Sequence, residues 1–293
     1  MNEGGLPESN MRTASVLIRT LNEERFLART LTAVLSQTPA PFEVFVIDSG
    51  STDRTVEIAG RFPVTVMTIP SEQWSYPRAL NLGAASATGE IVVCLSAHCL
   101  PLTTDWLGLL LRHFDDERVA AVWGQELNPS RASPAFGPPV RMTSGSPQMG
   151  RVWGLSNANS ALRRDLWQLH PFDERLPAAE DKAWGLEMVR RGWVIVHDPA
   201  AVVMHERHPP SRAFKRSRAV SQGYRMTYPE ATPNAGAARH IVTEAGRVIR
   251  ERLFDPRPSR LWKDVKQGWS GMFHLLGGFF RGRRRDKSPD EQT

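Results

Sequence analysis

The segment Phe42-Glu43-Val44-Phe45-Val46-Ile47 runs directly into Asp48-Ser49-Gly50-Ser51-Thr52-Asp53, joining an apolar strand to a polar, glycine-containing turn. An apolar run of strand length suits a strand buried on both faces. The turn offers two carboxylates and a residue that lets the backbone approach a ligand. Its carboxylates could accept from a uracil-type N–H or from ribose hydroxyls, although Asp/Ser/Gly turns also serve plain capping. The pattern recurs on either side. Ala14-Ser15-Val16-Leu17-Ile18-Arg19-Thr20 and Ile91-Val92-Val93-Cys94-Leu95 read as strands ending in polar clusters, Thr20 to Glu23 and Ser96 to His98, and Val64 to Ile69 reads as another strand. Between them lie helical patterns: Phe26, Leu27, Leu31, Val34 and Leu35 up to Pro39; Val56, Ile58 and Ala59; and about Arg78 to Ala87, closed by Thr88-Gly89. Strands alternating with helices predict an α/β fold, a mostly parallel central sheet with helices on both faces. Ligands of such sheets bind outside the carboxyl ends of the strands, where all three polar clusters fall.

Past His98 the pattern changes. A helix (Trp106, Leu107, Leu110, Leu111, Phe114) and a strand (Ala120 to Trp123) precede residues 128–150, rich in Pro, Ser and Gly, a length typical of lids or linkers. Val152 to Leu162 reads as strand-like, and Trp193 to Val196 and Ala201 to His205 as two short strands. Between them, Glu180-Asp181 precede the apolar run Trp184, Leu186, Met188, Val189 that ends at Gly192. Asp181 is therefore expected in the first turn of a helix, where free N–H groups and the macrodipole favour a carboxylate. Capping alone explains that placement; a catalytic role needs partners elsewhere in the chain.

The chain has 293 residues, 41% hydrophobic, with a net charge of +6. This is enough for one large domain with extensions, and the charge implies an anionic partner without naming it. The two cysteines, Cys94 and Cys99, form neither a disulfide framework nor a complete zinc set, which suits a reducing, cytoplasmic compartment. The polar first ten residues do not read as a signal peptide, and no apolar run reaches the length of a membrane span. Trp262, Val265, Trp269, Met272, Phe273, Leu276 and Phe280 recur at helical spacing beside Arg281, Arg283, Arg284 and Arg285. That tail fits an anionic membrane surface, which would make the protein peripheral on the inner face of the cell membrane, or a helix docked on its own domain or on a second subunit. Gly268, Gly271, Gly277 and Gly278 weaken it, at about 1 kcal/mol each relative to Ala.

Taken in order, these pieces resemble the inverting family-two glycosyltransferases of the GT-A fold. The resemblance rests on Val16 to Glu23, Asp48 to Asp53, Arg78-Ala79-Leu80-Asn81-Leu82-Gly83, Gly89 to Val93, Ser156 to Arg163, Glu180-Asp181 with Trp184, and Val202 to His205. The spacing around Pro171-Phe172-Asp173-Glu174 and Glu180-Asp181 looks most like the bacterial branch that builds rhamnose-containing and other surface polysaccharides. The resemblance covers about residues 13–208, the expected GT-A domain; outside it the chain is expected to be disordered over 1–12, a helical extension over 209–285 and disordered over 286–293. The resemblance also implies roles. Thr20, Asn22, Glu23, Asp48, Ser49, Asp53, Arg78, Asn81, Ser96 and Ala97 would serve the nucleotide-diphosphate sugar donor, and Asn157, Asn159 and Trp184 the saccharide or lipid-linked acceptor. Asp181 matches the catalytic base, and Glu180 would orient the acceptor or support the base. Inverting transfer needs one carboxylate to take the acceptor's proton as its oxygen attacks C1. Adjacent carboxylates also argue against a glycosidase, whose pair flanks a bond and stands roughly 5 Å or more apart.

One departure stands out. Where the family usually carries Asp-x-Asp for a divalent metal, this chain reads Ser96-Ala97-His98. Losing a hard carboxylate should weaken Mg²⁺ or Mn²⁺, while imidazole still serves Mn²⁺ or softer ions. Two arrangements stay open: a metal held by His98 and His205 with diphosphate oxygens, or a metal-poor site where Arg78, Lys182 or Arg207 neutralises the leaving group. The competing functions are a non-catalytic nucleotide- or glycan-binding relative without the metal motif, and a nucleotidyltransferase. The latter wants a Gly-rich loop after the first strand, which Arg19-Thr20-Leu21-Asn22-Glu23 does not offer. Nucleic acid is not an expected partner, since no recognisable module accompanies the basic tail.

Overall fold

The computed structural model describes residues 12–127, 137–146, 154–206, 219–220 and 222–228. In chain order the principal elements are β1 (Ala14–Thr20), α1 (Leu27–Leu35), β2 (Glu43–Asp48), α2 (Thr55–Ala59), β3 (Thr65–Thr68), α3 (Tyr76–Ser86) and β4 (Ile91–Ser96). They continue with β5 (Cys99–Pro101), α4 (Trp106–Leu111), β6 (Val119–Leu127), β7 (Val140–Met142), β8 (Asn159–Arg163), α5 (Arg164–Leu169), α6 (Glu180–Arg190) and β9 (Val194–His205). The strands form one sheet in the order β3-β2-β1-β4-β8-β6-β9-β5, with β7 on β9. β1 pairs in parallel with β2 and β4, and β2 with β3. β8 runs antiparallel between β4 and β6, while β6 and β9 are parallel.

Alternating side chains divide the core. Val16, Ile18, Val46 and Leu95 pack with Leu27, Leu31, Trp106 and Leu110 on one face. Leu17, Ile47, Val92 and Cys94 pack with Leu80, Trp167, Trp184 and Met188 on the other. Burial on both faces is why β1, β2 and β4 read as unbroken apolar runs. The register sets Thr20 beside Asp48, and Arg19 beside Ser96, so the polar ends of β1, β2 and β4 share one edge.

The sequence suggested two short strands where the structure has the single strand β9. Register on β6 jumps from Gly124–Asp198 to Gln125–Val202, so residues 199–201 bulge out. Asp198, wholly buried, holds the bulge by accepting from Ala200 N at 3.0 Å, and Arg112 and His113 lie at 2.7 Å. Gly124 is required there, since a Cβ would come within 2.0 Å of the Ala201 carbonyl oxygen. β8 begins only at Asn159, and the short strands β5 and β7 carry too few residues to show a pattern.

The chain divides into two compact units, residues 1–207 with 226–228, and residues 208–225 with 229–293. The described residues of the second, 219–220 and 222–225, are helical. The expected tail helix, both expected disordered termini up to residue 11 and from 286, and Arg207 lie outside the described residues. Among the described residues, no helix is long and apolar enough to cross a membrane.

Candidate active site

The carboxyl ends of β1 and β2 are stitched into one floor. Asn22 takes a left-handed backbone (φ 52°), a conformation Asn tolerates. Its Oδ1 accepts from Thr52 N at 2.6 Å and Asp53 N at 3.3 Å. Asp53 Oδ1 accepts from Thr55 N at 2.9 Å at the start of α2, and Asp53 Oδ2 from Glu24 N at 3.2 Å. Asp48, 1% exposed, accepts from Gly50 N at 3.0 Å and Ser51 N at 2.9 Å, and from the Ser51 hydroxyl. Ser49 N reaches the Thr20 carbonyl at 3.0 Å. Thr20 Oγ1 is buried and makes no hydrogen bond within the described residues. Asn22 and Asp53, expected on the donor, thus brace the loops that follow β1 and β2.

After β4, Ala97 is a buried anchor: its N–H donates to the Arg19 carbonyl at 3.0 Å, and its carbonyl accepts from Thr30 Oγ1. Ser96 is 7% exposed. His98 Nδ1 lies 3.1 Å from Glu23 Oε1, and His205 Nδ1 lies 2.6 Å from Glu126 Oε2. The two Nε2 atoms face each other at 3.1 Å. In the neutral tautomer that directs each Nδ1–H at its carboxylate, both Nε2 atoms present lone pairs and could share one cation. Two nitrogens on one metal at about 2.1 Å, separated by roughly 90–110°, stand about 3.0–3.4 Å apart, so the spacing fits. Cys99 pairs with His205 across β5 and β9, and its Sγ lies within 4.8 Å of the two imidazoles. Burial works to raise Glu126, but the hydrogen bond from His205, with Ser156 and Lys182, holds it down to about 2.

The acidic pair stands at the start of α6. Glu180 is 4% exposed, and its pKa rises to about 7 through burial and the neighbouring Asp181 charge, opposed by Arg19. Asp181 is more open. Its Oδ2 accepts from Asn157 N at 3.0 Å and its Oδ1 from Lys182 N at 2.7 Å. Ser156, the residue before Asn157, donates its hydroxyl to Glu126. Side chains and one peptide step therefore link Asp181 to Asn157, Ser156, Glu126, His205, His98 and Glu23. The metal candidates and the acidic pair belong to one network.

Several expected site residues lie elsewhere. Asn81 binds Phe172 O and Glu174 through Nδ2, and Trp167 Nε1 and Phe172 N through Oδ1, so it clamps α3 to the 172–174 turn. Asn159, 0% exposed, accepts from Trp106 Nε1 and donates to the Ala201 carbonyl at the β9 bulge. Trp184 is buried, with its indole N–H on the His170 carbonyl at 2.7 Å. Asn159 and Trp184 are core residues and do not form the expected acceptor face. Arg78 is exposed, with Nη2 3.2 Å from Gln73 Oε1. Lys182 Nζ binds the carbonyls of Gly154 and Leu155. Two further residues join the site without a sequence motif to mark them: Glu126, at the carboxyl end of β6 where the strand outruns its apolar part, and Arg19, which pairs with Glu180 at 3.5 Å.

Comparison with known proteins agrees with this architecture. The glycosyl transferase family 2 model matches residues 15–169. The O-antigen chain rhamnosyltransferase RfbN of Salmonella typhimurium is 26% identical over 217 residues, covering 69% of each chain. The O-antigen chain rhamnosyltransferase WbaN of Salmonella anatum is 28% identical over 198 residues, and this match spans 63% of either protein. Among solved structures, the mannosyltransferase PcManGT of Pyrobaculum calidifontis, in complex with GDP-Man and Mn²⁺, superposes with a TM-score of 0.58 at 20% identity, covering 89% of this chain and 81% of that one. S. aureus TarS 1–349 in complex with UDP gives 0.56 at 17% identity, over 84% and 73%. These likenesses establish the GT-A fold. With more than half its length matched by the family model, the chain belongs to glycosyl transferase family 2.

Proposed function

We propose that the protein transfers a sugar from a nucleoside-diphosphate donor to a saccharide or lipid-linked acceptor, with inversion at C1 and Asp181 as general base, in surface polysaccharide synthesis. The observation that carries this reading is the continuous network from Asp181 through Asn157, Ser156, Glu126 and His205 to His98 and Glu23. The donor's base and ribose rest against the floor made by Thr20, Asp48 and Ser49. The acceptor hydroxyl approaches Asp181, which takes its proton while the freed oxygen forms the new bond to C1. The bond from C1 to the phosphate oxygen breaks on the opposite face, and the diphosphate leaves with the electron pair. Asn157 N–H fixes the Asp181 carboxylate, and Glu180, one residue back, supports it. His98 and His205 would hold a divalent cation through Nε2, and it would supply positive charge to the departing diphosphate. The metal-poor alternative is weakened for Lys182, whose ammonium is committed to two carbonyls. The rhamnosyltransferase relatives support a deoxyhexose or hexose donor and a surface-glycan acceptor. Ser96 in place of a carboxylate favours the second reading, a non-catalytic nucleotide- or glycan-binding relative.

A thermal-shift screen of nucleoside diphosphates and their sugars, with and without Mn²⁺ and Mg²⁺, tests donor binding. A ligand selective for the native state raises Tm. The expected hit is a uridine or deoxythymidine diphosphate whose shift grows with Mn²⁺ and loses that increment in His205→Ala. Nucleotide shifts indifferent to metal and to His205→Ala would remove the metal from the account. Product anomer determined by NMR then separates inversion from retention, and binding without turnover of any donor would favour the non-catalytic reading.

A further inference from the structure

Arg19 has no role in the scheme above, yet its surroundings are unusual. It lies at the end of β1, on the face that carries Leu17, and its side chain is only 14% exposed. Nη1 stands 3.5 Å from Glu180 Oε1, Nη2 donates to the Asn157 carbonyl at 3.4 Å, and the guanidinium carbon sits 5.3 Å from the Tyr76 ring centroid. Tyr76 in turn makes an edge contact with Trp74, their centroids 4.7 Å apart. Nε and Nη1 are shut away from solvent without a hydrogen bond. A cation buried in this way is held by charge and by the aromatic face. The charge it faces is Glu180.

The groups around Glu180 come from several elements. Asp181 and Lys182 lie on α6 itself, with Lys182 Nζ 3.8 Å from Asp181 Oδ2. Arg19 comes from β1, and Tyr76 reaches it from α3. From β4 comes Cys94, whose thiol burial pushes up to about 12 and which is therefore neutral. Among the described residues, Arg19 is thus the cation in direct contact with Glu180. Two adjacent carboxylates, one of them buried, resist ionising together unless a positive charge lies close by.

We infer that Arg19, pressed on the Tyr76 ring, is a positioning residue that acts through Glu180, allowing the Glu180–Asp181 pair to carry its full negative charge so that Asp181 is free to accept a proton. This rests on the reading of Asp181 as base. Burial and the Asp181 charge already favour the protonated form of Glu180, so removing the cation makes Glu180 hold its proton more tightly. The raised pKa of Glu180, with burial and Asp181 raising it and Arg19 lowering it, has the sign this requires.

The test needs no substrate. In the full chain labelled with [δ-¹³C]glutamate, the Glu180 carboxyl resonance, assigned by its loss in Glu180→Gln, is followed against pH. Arg19→Gln should move its midpoint upward by about one unit or more, and Arg19→Lys, which keeps the charge without the stacked plane, by less. Tyr76→Phe keeps the ring and should leave the midpoint unchanged, whereas Tyr76→Leu should raise it. A folded Arg19→Gln with a wild-type midpoint overturns the inference. If Arg19→Gln does not fold, Tyr76→Leu decides, and an unmoved midpoint there overturns it equally. Where turnover is measurable, the acid limb of the rate profile should shift with the midpoint, whereas a purely structural loss would lower the rate at every pH. Should Asp181→Asn retain turnover while the Arg19→Gln midpoint moves, the base assignment fails and the charge assignment stands. An inactive Asp181→Asn with an unmoved midpoint gives the reverse.

Discussion

Glu180 and Asp198 are both buried carboxyl groups, and their environments push them in opposite directions. Glu180 is raised from 4.5 to about 7 by burial and by Asp181. Its folded value exceeds its unfolded one, so the stability it contributes is complete below about pH 4.5 and is lost as pH rises towards 7. Glu180→Gln should therefore match the wild type in Tm under acid conditions and exceed it by several degrees in alkaline buffer; a gap that does not widen with pH contradicts this. At Asp198 burial also works to raise the pKa, but the His113 hydrogen bond, Ala200 N and Arg112 outweigh it and bring the value to about 2. Its contribution is present above the unfolded value and disappears as pH falls towards 2. Asp198→Asn should cost about 2–3 kcal/mol in urea unfolding at neutral pH, given that Arg112 is partly solvated, and progressively less on acidification. Equal cost at both ends of the range would show that shape, not charge, holds the bulge.

Ala179, the residue before α6, is left-handed at φ 66° and buried, a conformation costing a non-glycine residue about 1–2 kcal/mol. It turns the chain so that Glu180 and Asp181 enter the first helical turn facing β1 and residue 157. Ala179→Gly should raise unfolding stability by roughly 0.5–1 kcal/mol after its own entropy cost, and urea denaturation measures it. A loss of stability would mean that packing of the methyl group outweighs the strain. Elements were the most legible level of the sequence. Fully buried strands announce themselves as apolar runs, and their polar ends mark one edge because parallel strands align their carboxyl ends. What could not be read was the direction of side chains within a turn or strand. Asn159 and Trp184 sit beside site residues in sequence, yet the geometry of β8 and α6 turns them into the core. Glu126 lies beyond the apolar part of β6 and belongs to no motif. Arg19 looked like one more strand residue because only the paired register shows it lying beside Ser96 and reaching Glu180.

For the whole molecule, the consequence is a sheet edge contributed by β1, β2, β4, β6, β8 and β9, with the two histidines tied to a carboxylate from either half of the sheet. Such a site should favour Mn²⁺ or softer divalent ions over Mg²⁺. Exhaustive chelation should therefore lower transfer sharply, Mn²⁺ should restore it better than Mg²⁺, and His205→Ala should respond weakly to either. Full activity after chelation would contradict this. The proposed role of Asp181 as base is decided by comparing Asp181→Asn with the wild type on the donor found by thermal shift. The donor-induced rise in Tm should be unchanged while transfer falls by about 10²–10⁴-fold; near-normal transfer, or loss of donor binding together with activity, would remove Asp181 as base.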